Sequence, residues 1–157
     1  MGKNIQGTVK RGGLTRMNIN NSMKLIERFN FFNTAMFFEC GDGWFDIIWS
    51  LCEEIENNLI QQKEKDPKQT TINILKDKNN FFKVVQVKAK FGTLRFYIEG
   101  SANVEEIHRF INEAENKSAI TCEKCGKPGK LMAKGKGGWV TALCRICAKT
   151  VGYTDEL

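Results

Sequence analysis

The stretch that decides the fold is residues 122–147, CEKCGKPGKLMAKGKGGWVTALCRIC. It begins and ends with a Cys-x2-Cys pair, and eighteen residues separate the two pairs. Each such loop turns two thiolates toward one point, so two loops complete a tetrahedron of sulfur around one ion. The spacing predicts one structural Zn2+ site with four ligands, which are Cys122, Cys125, Cys144 and Cys147. Two redox disulfides or an iron–sulfur cluster are the alternatives for the same residues.

The residues around the two cysteine pairs predict a small module over residues 118–157. Gly126 and Gly129 suit the tight turn of the first pair, and further glycines mark a hairpin turn between the pairs. The turn glycines and their apolar flanks are Gly135, Gly137, Gly138, Leu131, Met132, Trp139 and Val140. Because the second pair is expected at the start of a short C-terminal helix, the order is that of a zinc ribbon or treble clef.

Four thiolates leave no coordination position for a catalytic water, so the predicted zinc is structural. A functional interpretation makes the module a docking surface for nucleic acid or protein. The simpler interpretation is that the metal only holds together a segment with too little core of its own.

An α+β domain is predicted for residues 19–117, after a flexible basic tail over residues 1–18. Its clearest helix begins at Gly41-Asp42-Gly43-Trp44, where Asp42 can accept hydrogen bonds from the free N–H groups of the first turn. An apolar stripe at helical spacing follows and consists of Trp44, Ile48, Leu51, Ile55 and Leu59. Pro67 is expected to mark the end of the helix, with a polar loop over residues 66–80.

Residues 81–99 predict a β-hairpin, because apolar and polar residues alternate on both sides of Gly92. If Gly92-Thr93 is a two-residue turn, Lys90 lies opposite Arg95. The expected core side is Val85, Val87, Ala89, Phe91, Leu94, Phe96 and Ile98. The expected polar face is Gln86, Lys88, Lys90, Arg95 and Tyr97.

This polar face is the predicted ligand-binding site. Lys90 beside Arg95 places like charges together, which a bare sheet does not favour. One explanation is a bound phosphate of a nucleotide or a nucleic-acid strand, with Tyr97 stacking on a base. The other is a structural ion network, in which Asp42, Asp46 or Glu99 neutralises the two bases.

Two further segments complete the predicted fold. An amphipathic helix is expected from Val104 to Lys117, and the aromatic residues 29–38 are expected to pack as an irregular or short helical segment. The fold class is therefore α+β: a helix packs on an antiparallel sheet that contains the hairpin, a second helix follows, and the zinc module closes the chain.

The remaining chemistry-bearing residues support weaker hypotheses. Asp42 and Asp46 lie one helical turn apart and could share a metal, although a cap and a solvated acid are favoured. Cys52 lies on the apolar stripe as a buried thiol, and neither it nor Cys40 is claimed as a ligand. The single histidine, His108, argues against nucleases that need histidines at such a module. Because no recognisable catalytic motif is present, the protein is predicted not to be an enzyme.

The 157 residues carry a formal net charge of +6. Four zinc-bound thiolates and the ion lower this to about +4, so basic composition is weak evidence for a nucleic-acid partner. No apolar run reaches the roughly 18 residues that span a bilayer, and no secretory signal follows the basic N-terminus. We therefore expect a cytoplasmic protein without a membrane partner, and a reducing compartment fits cysteines that bind metal.

Several stretches of the chain, taken in order, carry a family resemblance. They are Gly41-Asp42-Gly43-Trp44, then QVKAKFGTLRFY at 86–97, Ala114-Glu115, Ser118, CEKCGKPG at 122–129, Gly138-Trp139 and Leu143-Cys144. Together they resemble a family of small uncharacterised proteins of phages and prophages, whereas residues 1–22 differ from that family's usual start. The resemblance implies a phage protein acting in an infected bacterial host, and it implies the same four zinc ligands. It implies no mechanism.

Two functions from different classes follow from these observations. The first is binding of a phosphate-bearing ligand, either nucleic acid or a host signalling nucleotide sequestered during infection to counter host defence. The second is docking on a host or phage protein, through residues 29–38 or through the zinc module. Residues 17–117 hold thirteen bases and fifteen acids, and this mixed charge mildly favours the second function over extended DNA binding.

Overall fold

The structure, a computed structural model, describes residues 15–65, 82–100, 103–155 and 157. The described helices are α1 (Ile19–Arg28), α2 (Phe45–Lys65), α3 (Glu105–Ala119) and α4 (Arg145–Val151), and a 3-10 turn over Asp42–Trp44 leads into α2. The strands are β1 (Phe38–Glu39), β2 (Phe82–Lys90), β3 (Thr93–Gly100), β4 (Lys130–Ala133) and β5 (Val140–Leu143). The predicted α+β class is confirmed.

The three-stranded sheet has the order β1-β2-β3 and is mixed. β2 and β3 form the predicted antiparallel hairpin, but β1 runs parallel to β2, so the prediction of an antiparallel sheet is wrong at this edge. The reason is the connection: the chain leaves β1, passes through α2 and re-enters the sheet at β2, and such a crossover joins parallel strands. On the other side of the sheet order, β3 contacts α3, where the Leu94 N–H donates to Ser118 Oγ at 2.8 Å.

The core lies between α2, the sheet and α3. The whole predicted stripe of α2 is buried, from Trp44 to Leu59, and Cys52 is a buried thiol as predicted. On α3, Ile107, Ile111 and Ala114 face this core. α2 continues to Lys65, whereas the predicted polar loop over residues 66–80, with Pro67, lies outside the described residues.

Residues 29–38 are irregular up to β1 and supply aromatic rings to the core. Phe29, Phe31, Phe32 and Phe38 are buried, and their rings meet mainly edge to face, for example at 5.2 Å between the centroids of Phe32 and Phe38. Phe37 is the exception, with 61% of its surface exposed. The second predicted function included docking of a partner on this segment. Most of the aromatic rings of the segment are already packed in the core.

The residues before the core segment are more ordered than predicted. Met17 is buried and its N–H donates to the Phe38 carbonyl at 3.0 Å. Asn18 is the N-cap of α1, a helix that the sequence analysis did not identify, and its side chain accepts from the N–H of Asn21. The predicted flexible tail over residues 1–18 is therefore wrong for its last residues, and residues 1–14 lie outside the described part.

The hairpin register differs from the predicted one by a shift of the turn. The turn residues are Phe91 and Gly92, both with positive φ, so Lys90 lies opposite Thr93 and the like-charged pair is Lys88 with Arg95. A β-bulge between Val84 and Gln86 also changes which side chains point inward. As a result, Val84 is buried and two residues predicted for the core side are exposed, Val85 by 48% and Phe91 by 75%.

Candidate metal centre

The four predicted zinc ligands lie together in the folded chain. The Sγ atoms of Cys122, Cys125, Cys144 and Cys147 are all within 4.8 Å of one another. The Cys125 and Cys144 sulfurs are 3.7 Å apart, and the edge of a tetrahedron with metal–sulfur bonds of ~2.3 Å is about 3.8 Å. None of the six cysteines forms a disulfide, and Cys40 and Cys52 lie outside the cluster, as predicted.

The first pair is held by a tight loop, residues 122–129, which we call the knuckle. The Gly126 N–H donates to the Cys122 carbonyl at 2.8 Å, and Gly126 takes the positive φ of 75° that the predicted turn requires. The Cys122 N–H donates to Lys127 O at 2.7 Å. Gly129 has no such φ; its role is contact, because an added Cβ there would lie 2.8 Å from the Leu143 carbonyl carbon.

The second pair is held by the start of α4, as predicted. Cys144 is the N-cap of α4, and its Sγ accepts from the N–H of Cys147 at 3.4 Å. This hydrogen bond is the main cause that lowers the pKa of the Cys144 thiol to about 7. Burial, in contrast, raises the pKa of Cys125 and of Cys147. Four thiolates at this spacing would repel one another, and a divalent cation at their centre would let all of them ionise.

The β4–β5 hairpin joins the two pairs and presents two different faces. Met132 and Leu143 are buried beside Cys122 and α4, whereas Leu131 and Ala142 belong to the core of the main domain. The predicted turn glycines fit, since Gly135 and Gly137 have positive φ. Trp139, predicted as an apolar flank of this turn, is 82% exposed.

The knuckle packs against residues 41–44, which we call the 41–44 motif. The Gly43 N–H donates to the Glu123 carbonyl at 2.8 Å, and the Trp44 Nε1–H donates to the Thr121 carbonyl at 2.9 Å. A Cβ added to Gly41 would lie 2.2 Å from the Glu123 oxygen, and one added to Gly43 would lie 2.1 Å from the Cys122 oxygen. Both glycines are therefore required by backbone contact, a role that sequence analysis missed although the Gly-x-Gly spacing was its visible signal.

Glu123 links three segments at this contact. Its N–H donates to the Ala142 carbonyl at 2.8 Å, and its Oε1 accepts from the Gly41 N–H at 3.0 Å. The side chain is buried, and burial raises the pKa of the Glu123 carboxyl to about 7, against the opposing effect of the Gly41 hydrogen bond. The only buried acid of the knuckle thus serves the packing of the module.

The predicted ligand set of the hairpin does share one face. Gln86 pairs with Tyr97, Lys88 with Arg95 and Lys90 with Thr93, all on the side opposite the core. Glu39 of β1 lies in register with Lys88 on this face. The predicted pairing of Lys90 with Arg95 is wrong, because the turn is one residue earlier than expected.

Arg95 has a structural partner that the sequence analysis did not name. Its Nη1 lies 3.4 Å from Glu115 Oε2 on α3, and it also donates to Thr93 Oγ1 at 2.7 Å. Asp42 and Asp46 do not contact it, and Glu99 pairs with Lys83 instead. The Lys88 ammonium lies 5.7 Å from the centroid of the Tyr97 ring.

Asp42 serves α1 rather than the helix that it was predicted to cap. Its Oδ1 accepts from the N–H of Asn18 at 2.9 Å and from the side-chain amides of Asn18 and Asn21. Asp46 is exposed, and among the described residues neither acid belongs to a group of three or more side chains that could hold a metal. His108 is exposed on α3.

Comparisons with protein-family models, curated proteins and solved structures find no match to this chain. The resemblance to phage proteins therefore stays a prediction. No helix in the described ranges combines the length and apolar character needed to cross a bilayer.

Proposed function

We propose that the protein binds nucleic acid through a surface built on a zinc-stabilised treble clef. The treble clef, rather than the zinc ribbon, is supported by the order of knuckle, hairpin and helix, with the second cysteine pair at the N-terminus of α4. Zinc is supported by the close set of four sulfur donors.

The identity of the metal is tested by elemental analysis of protein purified without added metal. We expect one zinc per chain, and we expect Co2+ substitution to give the visible absorption of a tetrahedral thiolate site. Iron in place of zinc, or no metal at all in protein kept reduced, would refute this assignment.

The observation that carries the binding proposal is that the β2–β3 turn packs against the strands of the β4–β5 hairpin, at Val140 directly beside the lysine-bearing turn. A Cβ added to Gly92, in the β2–β3 turn, would lie 2.7 Å from Leu131 Cδ2 and 3.0 Å from Val140 Cγ1 of the β4–β5 hairpin. We call residues 90–93 and 134–139 together the tip surface. Its lysines are Lys90, Lys134 and Lys136, and within the described residues none has a carboxylate oxygen within 4.0 Å.

Exposed lysines that have no carboxylate partner within the described ranges suit an extended phosphate backbone. A free nucleotide needs a concave site that encloses it, whereas a strand is bound by a row of cations on an open surface. The proposed site keeps Lys88, Lys90 and Tyr97 of the predicted ligand set, as a continuation of the tip surface across the sheet. Arg95 is left out of the proposed site because its side chain pairs with Glu115 on α3, an ion pair that we call the bridge.

The proposal is tested by fluorescence anisotropy with labelled oligonucleotides over a range of salt concentrations. Lys134→Gln/Lys136→Gln should weaken binding and reduce the slope of log K against log salt by about 1.4, since each single-strand phosphate contact contributes ~0.7. Lys24→Gln/Lys149→Gln removes two charges from α1 and α4 as a matched control and should change neither quantity. Absence of binding to single- and double-stranded DNA and RNA at low salt would refute the proposal.

Docking on a host or phage protein is the alternative, and residues 29–38 no longer support it because their rings are mostly buried. Purification from expressing cells with nuclease treatment and high salt distinguishes the two classes. A polypeptide retained in stoichiometric amount would favour docking. Loss of all co-purifying material, together with binding of oligonucleotides, is expected for a phage protein that acts on host or phage nucleic acid.

A further inference from the structure

We infer that the tip surface selects single-stranded nucleic acid by stacking unpaired bases on Phe91 and Trp139. This inference rests on the proposed function and adds to it the form of the nucleic acid and the residues that recognise it. Three independent features of the tip surface support it: a strained backbone, two exposed rings and lysines next to them.

Phe91 occupies a backbone position that does not suit it. With φ of 52° at Phe91 and 80° at Gly92, the turn has the positive φ values of type I′, whose first position favours Asn, Asp or Gly. A bulky residue at positive φ is a genuine outlier. The Phe91 ring is 75% exposed, so it gains little from burial in exchange. Because this backbone strain is not offset by packing of the ring, it points to a role in contacting a ligand.

Trp139 is a second ring presented to solvent nearby. It follows the glycine turn of the β4–β5 hairpin, where its carbonyl accepts from the Lys134 N–H at 3.0 Å, and its side chain is 82% exposed. Phe91 immediately precedes Gly92 and Trp139 immediately precedes Val140, and Gly92 and Val140 lie in contact. Adding the intervening bond and contact lengths, the Cα atoms of Phe91 and Trp139 are at most about 15 Å apart. One short strand can therefore reach both.

Lysines alternate with these rings. The Lys90 ammonium is 5.4 Å from the centroid of the Phe91 ring, and Lys134 and Lys136 precede Trp139 within the same turn. A cation beside a ring lets a phosphate be neutralised while the adjoining base stacks, which is how proteins bind single strands without reading sequence. Exposed acids are missing from the tip surface itself, since residues 90–93 and 134–139 contain neither Asp nor Glu.

A single strand fits these features better than a duplex. Bases within a duplex already stack on one another, so two exposed rings could contact only their edges, whereas unpaired bases present their faces. A protein partner would use the apolar area of the rings, but lysine is depleted from protein–protein interfaces, so the adjoining lysines favour nucleic acid.

The test compares a labelled single strand of about 12 nucleotides with the matching duplex, as DNA and as RNA, within the ~4–16-nucleotide range of single-strand sites. We expect at least tenfold tighter binding of the single strand. Phe91→Asn and Trp139→Leu should each weaken it roughly 5- to 100-fold with an unchanged salt slope, because stacking involves no phosphate. Ile146→Ala, which trims another exposed apolar side chain of the zinc module, should have no effect. Quenching of tryptophan fluorescence by the strand should disappear in Trp139→Leu.

Phe91→Asn has a second readout that separates a binding role from a structural one. Asn is preferred at this turn position, so the variant should unfold about 3–6 °C higher while it binds more weakly. A lower Tm, or full affinity in both ring variants, would overturn the inference. Equal binding of duplex and single strand would also overturn it and leave the proposed function standing. No binding of any nucleic acid would remove both.

Discussion

Gly43 and Gly41 show how the absence of a side chain allows two parts of this molecule to pack closely together. Neither has the positive φ that makes glycine necessary in turns, so their requirement comes from contact alone. At both positions the atoms that a Cβ would meet include backbone atoms of the knuckle, and backbone cannot rotate aside as the end of a long side chain can. These two glycines therefore specify how the metal site and the main domain fit together.

Gly43→Ala should destabilise the protein by about 3 kcal/mol or more, at the upper end of overpacking costs, because the knuckle must move. Urea unfolding measures this change, and competition with a chelator should show faster loss of metal. Gly137→Ala is the matched control: its φ is 71° but no atom lies within 4 Å of the added Cβ, so only the backbone cost of about 1–2 kcal/mol applies. Equal effects of the two substitutions would contradict the contact.

Glu123 provides a second prediction at the same contact. Glu123→Ala leaves the Gly41 N–H buried without its acceptor, which should cost about 1–3 kcal/mol in urea unfolding. Glu123→Gln keeps an acceptor oxygen of the same reach, and because burial raises the pKa of the Glu123 carboxyl to about 7, the variant should be at least as stable as the parent at pH 7. If both variants lose the same stability, the hydrogen bond to Gly41 is not what Glu123 contributes.

At the scale of elements, the sequence predicted the helices and strands that have a clear period. The α2 stripe and the α3 face are buried as expected, because one side of each helix must be apolar to pack. The hairpin was predicted correctly, but its register was not. Placing the turn one residue earlier requires Phe91 at positive φ, which propensity argues against, and the bulge at Val85 leaves no mark in an alternating sequence.

The clustering of the four cysteines was predicted correctly because its signal in the sequence is local, whereas the contacts around the cluster are not local. Four cysteines in two close pairs are a pattern that the sequence displays directly. The partner of Arg95 is Glu115, 20 residues away on another element, and no periodicity relates them. The short helix α1 was missed although its signals are present, since Asn18 is a favoured N-cap residue and apolar Leu25 and Phe29 follow at helical spacing.

The bridge from β3 to α3 gives a prediction at this scale. Arg95→Gln leaves the Glu115 carboxylate without its cation and should cost about 0.5–1 kcal/mol in urea unfolding, as expected for a partly exposed pair. Glu115→Gln removes the charge but keeps an acceptor and should cost no stability at pH 7. Adding Arg95→Gln to that variant should then have little further effect. Additive losses would mean that the two side chains do not interact.

The same bridge makes the free energy of unfolding depend on pH. Burial is the largest effect on the pKa of Glu115 and raises it, while Arg95 and the Phe96 N–H act in the opposite direction. A carboxyl whose folded pKa is raised stabilises the fold fully below its unfolded pKa, and this contribution is lost as pH rises through the folded pKa. Parent and Glu115→Gln should therefore be equally stable near pH 4, and the variant should be more stable at pH 7 by less than about 1 kcal/mol. The opposite trend would contradict the burial effect.

At the scale of the whole molecule, the two predicted parts, residues 19–117 and 118–157, share a continuous interface. Hydrogen bonds cross it from Gly43 and from Trp44 to the backbone of the module, and Ala142 of β5 is buried in the main core. Domains that unfold separately usually meet through polar, replaceable contacts. Here the contacts are buried and include the indole of the largest core side chain, so we expect the two parts to unfold together.

Removal of the proposed metal tests this expectation, because the candidate cluster found among the described residues lies in the module. Treating reduced protein with a chelator should lower the Tm and abolish hydrogen-exchange protection in α2 and α4 together, since the knuckle that packs on the 41–44 motif loses its anchor. Cys125→Ser should show the same loss without chelator. Cys52→Ala, which removes a buried thiol outside the cluster, should keep the metal and one cooperative transition. If α2 stays protected while α4 exchanges freely, the module and the main domain are independent, and the 41–44 motif does not couple them.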